Sequence, residues 1–99
     1  MTATAQARYQ NQARIIKALG HPTRLFIVDE LARGERCVCE LTELIGVEMP
    51  TVSRHLSLLK KAGILMDEKR GALVYYRLRV PCVLNFFKCV QAVQESGKS

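Results

Sequence analysis

Residues 37–62 decide the fold of this chain: Cys37-Val-Cys-Glu-Leu-Thr-Glu-Leu-Ile-Gly-Val-Glu-Met-Pro-Thr-Val-Ser-Arg-His-Leu-Ser-Leu-Leu-Lys-Lys-Ala62. A short helix is expected over 40–45, with acidic residues in its first turn and Gly46 at its end. A longer helix should begin at Pro50, because proline suits a first helical turn, and its apolar residues recur at helical spacing. The stretch of about 39–62 therefore predicts two helices joined by a tight turn.

Outside this stretch, glycines, prolines and apolar spacing predict four further elements. One helix is expected over about 5–19 and another over about 22–32, each followed by a glycine. Two β-rich runs within about 64–78 flank a basic turn and predict a hairpin. A last helix over about 81–94 is apolar around most of its circumference.

The order α-α-α-α-β-β-α is that of a winged helix-turn-helix, a mainly α fold with a β-hairpin wing. The 99 residues predict a single domain over 1–99 with a small core, which dimerisation would help to stabilise. No signal-peptide core or membrane-length apolar stretch is recognisable, so a cytoplasmic protein without a membrane partner is expected. The sequence has no recognisable Gly-rich phosphate loop, paired carboxylates or Ser/His/Asp set. Neither an enzyme nor a small-molecule substrate is therefore expected.

The charge distribution points to a polyanionic partner. The chain carries a net charge of +6, and its pI is near 9.5. Between Thr51 and Arg79 there are seven basic and two acidic residues, whereas between Asp29 and Glu48 there are six acidic and two basic ones. The basic half coincides with the longer helix of the helix-turn-helix and the hairpin, which favours DNA as the partner.

This arrangement predicts which side chains contact DNA. Hydroxyls and an arginine off the apolar stripe of the longer helix can meet phosphates or base edges, and the lysines and the hairpin tip can contact phosphates without reading sequence. The two histidines, His21 and His55, are expected to be structural or to face phosphates. The predicted DNA-binding residues are Thr51, Ser53, Arg54, His55, Ser57, Lys60, Lys61, Lys69 and Arg70.

Four motifs together resemble the ArsR/SmtB family of bacterial metal-sensing repressors: Leu19-Gly-His-Pro-Thr-Arg-Leu25, Cys37-Val-Cys-Glu-Leu41, Pro50-Thr-Val-Ser-Arg-His-Leu56 and Val74-Tyr-Tyr-Arg-Leu78. The resemblance implies a homodimer formed by the first and last helices, bound to operator DNA until an inducer arrives. The Cys-Val-Cys motif is similar to that of the branch that responds to arsenite and antimonite. It implies As(III) or Sb(III) as inducer, bound by Cys37 and Cys39.

The spacing of these two thiols suggests a mechanism. Side chains two residues apart lie on one side of an extended segment, but they are about 200° apart on a helix. Both thiols are therefore expected to bind one ion only where the segment is not helical, so that binding should open the first turn of the short helix. Thiolates select soft, thiophilic ions, and a nearby helix N-terminus favours the thiolate.

The chain departs from the branch at Thr42, where a further cysteine is typical. The candidates for the third ligand are Cys82 and Cys89, from the same chain or from the other subunit. Because they are seven residues apart on a helix, at most one could join the ion. Both also suit a place among dimer-core residues. The last helix has neither His nor Asp, which argues against zinc, nickel or cobalt.

Three further interpretations concern function and DNA preference. The thiols could form a redox or persulfide switch, for example a disulfide from Cys39 to Cys82 or Cys89. In a different class, the basic face could bind an acidic protein instead of DNA. Glu48, a weak helix cap that places negative charge near DNA, could alter operator preference.

Overall fold

The computed structural model describes residues 1–97, and it has the predicted winged helix-turn-helix architecture. Seven elements match the predicted order, and one short strand, β1, is additional. The elements are α1 (Ala3–Leu19), α2 (Pro22–Leu31), β1 (Arg36–Cys37), α3 (Val38–Ile45), α4 (Met49–Lys61), β2 (Leu65–Arg70), β3 (Leu73–Leu78) and α5 (Val83–Ser96).

Local hydrogen bonds explain where the first and last helices differ from their predicted bounds. Helix α1 begins at Ala3, two residues earlier than expected, because the Thr2 hydroxyl accepts a hydrogen bond from the backbone N–H of Ala5 at 3.1 Å. Helix α5 begins at Val83 because the preceding residues form a tight turn. In that turn the N–H of Val83 donates to the carbonyl of Val80, three residues back.

The core joins α2, α3 and α4. Their inward side chains are completely buried, and the apolar stripe predicted for α4 lies within this group: Ile27, Val28, Leu41, Val52, Leu56 and Leu59. Gly46 ends α3 in the left-handed conformation, with φ of 80°, and so permits the sharp turn into α4. Burial of this stripe leaves the opposite face of α4 directed outward.

The wing is part of a three-stranded antiparallel sheet with the order β1-β3-β2. Strands β2 and β3 pair from Leu65 with Leu78 down to Arg70 with Leu73, and Gly71 turns the chain at φ of 61°. Strand β1 pairs with the outer edge of β3. Two residues are too few to show an alternating pattern, so this strand was not predicted.

A broad apolar surface lies exposed on the single chain. No residue of α5 is buried, and apolar side chains of α1, α2 and α5 are between 40% and 71% exposed: Tyr9, Ile16, Leu25, Phe26, Phe86, Val90 and Val93. Exposed apolar side chains in this number are typical of an interaction surface. They include residues of the first and last helices, through which the resemblance implies a homodimer. Within residues 1–97, no helix combines the length and the apolar character needed to span a membrane.

Candidate thiol site and DNA-binding surface

The two cysteines of the Cys-Val-Cys motif meet at the start of α3. Cys37 is the N-cap of the helix and has an extended backbone, with φ of −81° and ψ of 160°, whereas Cys39 lies within the first turn. A disulfide joins their Sγ atoms, and their Cα atoms are 5.4 Å apart. Cys37 is buried and Cys39 is exposed. The site therefore opens to solvent on the Cys39 side.

This geometry corrects one expectation from the sequence. Both thiols were expected to bind one ion only where the segment is not helical, but the disulfide joins the two sulfurs while α3 is intact. The reason is that an N-cap residue is not helical, so the about 200° separation of helical neighbours does not apply to Cys37. After reduction of the disulfide, the same two side chains would offer two thiolates to a soft ion.

Cys37 also holds the N-terminus of α3 in place. Its Sγ accepts a hydrogen bond from the backbone N–H of Glu40 at 3.4 Å, and its own N–H donates to Glu40 Oε1 at 3.1 Å. Together these form a capping box. The N–H of Cys37, and secondly the guanidinium of Arg36, lower the pKa of Glu40 below its usual value. An ion bound to the Cys37 sulfur would compete with this cap.

A single chain does not supply the third ligand. Within residues 1–97, no group of three or more His, Cys, Asp or Glu side chains could hold a metal ion, so neither Cys82 nor Cys89 lies beside Cys37 and Cys39. Both are exposed, but only Cys89 lies on α5, whereas Cys82 is the N-cap residue before the helix. Thr42, at the position where a further cysteine is typical, donates its hydroxyl hydrogen to the carbonyl of Val38 at 2.7 Å. A third ligand from the partner subunit stays a prediction.

The outward face of α4 presents most of the side chains predicted to contact DNA. Ser53 and Arg54 are exposed, and Thr51 and Ser57 are half-buried beside them. All four lie off the buried apolar stripe, as predicted. Short hydroxyls and an arginine on an exposed helix face suit contacts with phosphates and base edges.

The four predicted phosphate-binding cations fall into two classes. Lys61 and Lys69 are exposed and have no carboxylate in ion-pair contact within residues 1–97. Nζ of Lys60 instead lies 2.9 Å from Oδ1 of Asp67 in β2. The hydrogen bond to this carboxylate, and secondly its charge, raise the pKa of Lys60. These contacts were not evident from the sequence, because the ion pair forms only when the wing folds back along α4.

Arg70, at the base of the wing turn, is the second paired cation. Its guanidinium donates two hydrogen bonds to the Glu35 carboxylate, at 2.5 and 2.8 Å, and a third to Glu68 at 3.2 Å. It also lies over the ring of Tyr75, 4.7 Å from the ring centre. Exposed ion pairs contribute little to stability, so a DNA phosphate can still compete for Lys60 and Arg70.

His55 lies apart from the other predicted DNA contacts. Its ring packs against His21, with the ring centres 4.5 Å apart, and its Nδ1 lies 3.2 Å from Nη1 of Arg24. Burial, and then the positive charges of His21, Arg24 and Arg54, lower the pKa of His55. His55 therefore contacts residues of α2 and its N-cap, and its lowered pKa favours the neutral form; its predicted role in DNA binding stays a prediction.

Comparison with known proteins places this geometry in a family. Residues 21–66 match the model of the arsR family of bacterial regulatory proteins. The chain is 49% identical over 65 residues to the arsenic resistance transcriptional regulator ArsR1 of Pseudomonas putida, covering 65% of this chain and 51% of that protein. It is 46% identical over 66 residues to the arsenical resistance operon repressor of Escherichia coli, covering 66% and 56%. The match thus spans about half the length of these relatives.

Among solved structures, the chain is similar to the homodimeric winged helix-turn-helix DNA-binding domain of Mb0332 from Mycobacterium bovis, described as a "possible ArsR-family transcriptional regulator". The TM-score is 0.85 and the identity 32%, covering 100% of this chain and 92% of that one. The relatives are transcriptional regulators and not enzymes, as the sequence predicted. Similarity of this extent in both sequence and structure shows that this chain belongs to the arsR family of bacterial regulatory proteins.

Proposed function

We propose that the protein is a homodimeric repressor that binds operator DNA through α4 and the wing and releases it when As(III) or Sb(III) binds Cys37 and Cys39. The position of both cysteines at the N-terminus of α3 carries the proposal, because reduction of their disulfide leaves two adjacent thiols. The similarity to an arsenic resistance regulator and to an arsenical resistance operon repressor supports the same inducer class. The exposed basic face of α4 supports DNA as the partner.

The capping box explains how the thiols can act on the DNA-binding surface. A soft trivalent ion supplies coordination positions that both thiolates can fill. When the Cys37 sulfur is engaged, it no longer serves fully as acceptor for the N–H of Glu40, and the first turn of α3 loosens. Helix α3 packs on α4 through the buried Leu41, so this change reaches the helix that carries Arg54. Linkage then requires that DNA affinity and inducer affinity fall by the same factor.

Fluorescence anisotropy of labelled operator DNA tests the proposal. Under reducing conditions, arsenite and antimonite should release the wild-type protein, whereas zinc should not. Cys37→Ser and Cys39→Ser should retain DNA binding but lose the response. Cys82→Ser and Cys89→Ser are the matched controls, and loss of response in either would place α5 in the ion site. A wild-type protein that stays on DNA at saturating arsenite and antimonite would overturn the proposed inducer.

A second candidate function rests on the same sulfur contact. The disulfide between Cys37 and Cys39 forms from the two thiols when two electrons and two protons pass to an oxidant such as hydrogen peroxide, which is reduced to water. This pairing differs from the disulfide to Cys82 or Cys89 considered from the sequence, because the structure brings Cys37 to Cys39. Mass spectrometry separates the two functions. Peroxide-driven DNA release with a loss of about 2 Da, together with no response to arsenite, would favour the redox switch.

A further inference from the structure

A cavity that is separate from the thiol pair lies between α1, α2 and α4. Its volume is about 400 Å³. Four cationic side chains and three apolar ones form its lining, and no acidic side chain does: Arg14, Lys17, Ala18, Arg24, Leu58, Lys61 and Ala62. We propose that this cavity binds a small organic anion, with its charged group at the arginines and lysines and its hydrocarbon body against the apolar wall.

Arg24 is the best-placed cation of this cavity. It is half-buried, and its Nε donates a hydrogen bond to the carbonyl of Ala18 at 2.6 Å while Nη1 lies 3.2 Å from His55. These contacts hold the guanidinium plane in one orientation before any ligand arrives. A fixed guanidinium binds a carboxylate with less loss of side-chain entropy than a free one.

The charge of this cavity is not compensated by the protein. None of the four cations forms an ion pair with a carboxylate in the part of the chain from Met1 to Gly97, in contrast to Lys60 and Arg70. Cations grouped around a low-dielectric concave surface raise the local concentration of anions. The missing counter-charge therefore favours an anionic ligand over a neutral one.

The apolar wall indicates the rest of the ligand. Leu58 is 44% exposed, although it lies on α4 beside the cavity, and Ala18 and Ala62 are half-buried next to it. An inorganic anion or a DNA phosphate would leave this apolar surface in water. A ligand with a short hydrocarbon body would cover it and gain from its burial.

The cavity lies on a different side of α1 from Tyr9 and Ile16, which are expected to contribute to the dimer. On α1, Tyr9 and Ile16 share one side of the helix, whereas Arg14, Lys17 and Ala18 lie about 100° to 200° around the axis from Ile16. A dimer formed through Tyr9 and Ile16 would therefore leave the cavity open. The inference is independent of the proposed thiol mechanism.

Chemical-shift titration of the full chain by two-dimensional amide NMR tests the proposal. The probes are hexanoate, its neutral match hexanamide, and inorganic phosphate. Hexanoate should shift the amides of Ala18, Leu58 and Ala62 in a saturable way with a Kd of about 1 mM. Hexanamide and phosphate should bind about tenfold more weakly, because hexanamide lacks the negative charge and phosphate lacks the hydrocarbon body.

Variants test which side chains hold the anion. Arg24→Gln and Lys61→Gln should each weaken hexanoate binding, Arg24→Gln by about tenfold, and Arg33→Gln, an exposed arginine outside the cavity, should not. Because Lys61 is exposed, its variant remains informative if Arg24→Gln does not fold. Equal binding of hexanamide, equal binding of phosphate, or wild-type affinity in both variants would overturn the proposal.

Discussion

Cys37 lies opposite Tyr75 in the pairing of β1 with β3, so one buried cysteine both caps α3 and extends the sheet of the wing. The connection continues to the wing turn. Arg70 stacks on the ring of Tyr75 and binds the carboxylate of Glu35, two residues before Cys37. A change at the thiol pair can therefore reach the residues predicted to contact DNA through the wing as well as through α3.

The first prediction concerns this connection to the wing. The coupling is measured as the ratio of operator affinities without and with arsenite, and in allosteric proteins it is typically roughly 5- to 150-fold. Glu35→Gln should reduce this ratio by several-fold. The reason is that Arg70 loses its charged partner beside the thiols. Arsenite affinity in the absence of DNA should change little. Glu68→Gln, which also removes a partner of Arg70 but lies on the wing, is the control. Equal coupling in all three proteins would show that the wing does not participate.

The second prediction separates the cap from the sulfur. Cys37→Ser should stay folded, because serine is a good N-cap, whereas Cys37→Ala should lose about 1 kcal/mol of stability from the cap alone. Cys39→Ala should cost less, since Cys39 is exposed and caps nothing. Urea unfolding followed by circular dichroism measures all three. A Cys37→Ala protein as stable as Cys39→Ala would contradict the capping role.

The third prediction concerns pH. The folded state lowers the pKa of Glu40, so this carboxylate stabilises the protein above its unfolded pKa, and the stabilisation is lost as pH falls through the lower folded pKa. Glu40→Gln should therefore be less stable than wild type at about pH 7, and the difference should shrink as the pH falls below the unfolded value and through the lower folded pKa. Urea titrations at several pH values check this, with Glu43→Gln of the same helix as control. A pH-independent difference would point to a cause other than ionisation of Glu40.

The fourth prediction distinguishes base reading from phosphate contact. Arg54→Ala should cost about 1–3 kcal/mol of operator affinity and reduce the preference for operator over random DNA. Lys69→Ala should weaken both DNAs alike and lower the salt slope by about 1. Anisotropy titrations over a range of salt concentrations measure both quantities. If the wild-type protein ignores DNA even at low salt, the basic face serves a protein partner instead.

The fifth prediction tests the dimer surface. Val90→Glu should shift the protein from dimer to monomer in light scattering, because it places a charge within the exposed apolar surface of α5. Lys88 lies about 200° around the helix from Val90, so Lys88→Glu should leave the dimer intact. Dimers in both variants would place the interface elsewhere.

Much of the fold was predictable because it depends on patterns that repeat along the chain. The helical spacing of Val52, Leu56 and Leu59, together with Gly46 and Pro50, predicted the helix-turn-helix without further information. The hairpin followed in the same way from its β-rich runs and its turn. These local signals also indicated which face of α4 is exposed, since burying an apolar stripe directs the polar side chains outward.

The sequence alone determined the order of seven of the eight elements, the identity of the thiol pair and the polar face of α4. Only the tertiary structure decided how these parts connect. The pairing of Cys37 with Tyr75 and the ion pair between Glu35 and Arg70 join segments more than 30 residues apart, for which no local pattern exists. The contact of Cys37 with Cys39 depends on the N-cap conformation, which in turn depends on strand β1 docking against β3. Contacts of this kind form only when distant segments pack together, so spacing along the chain does not predict them.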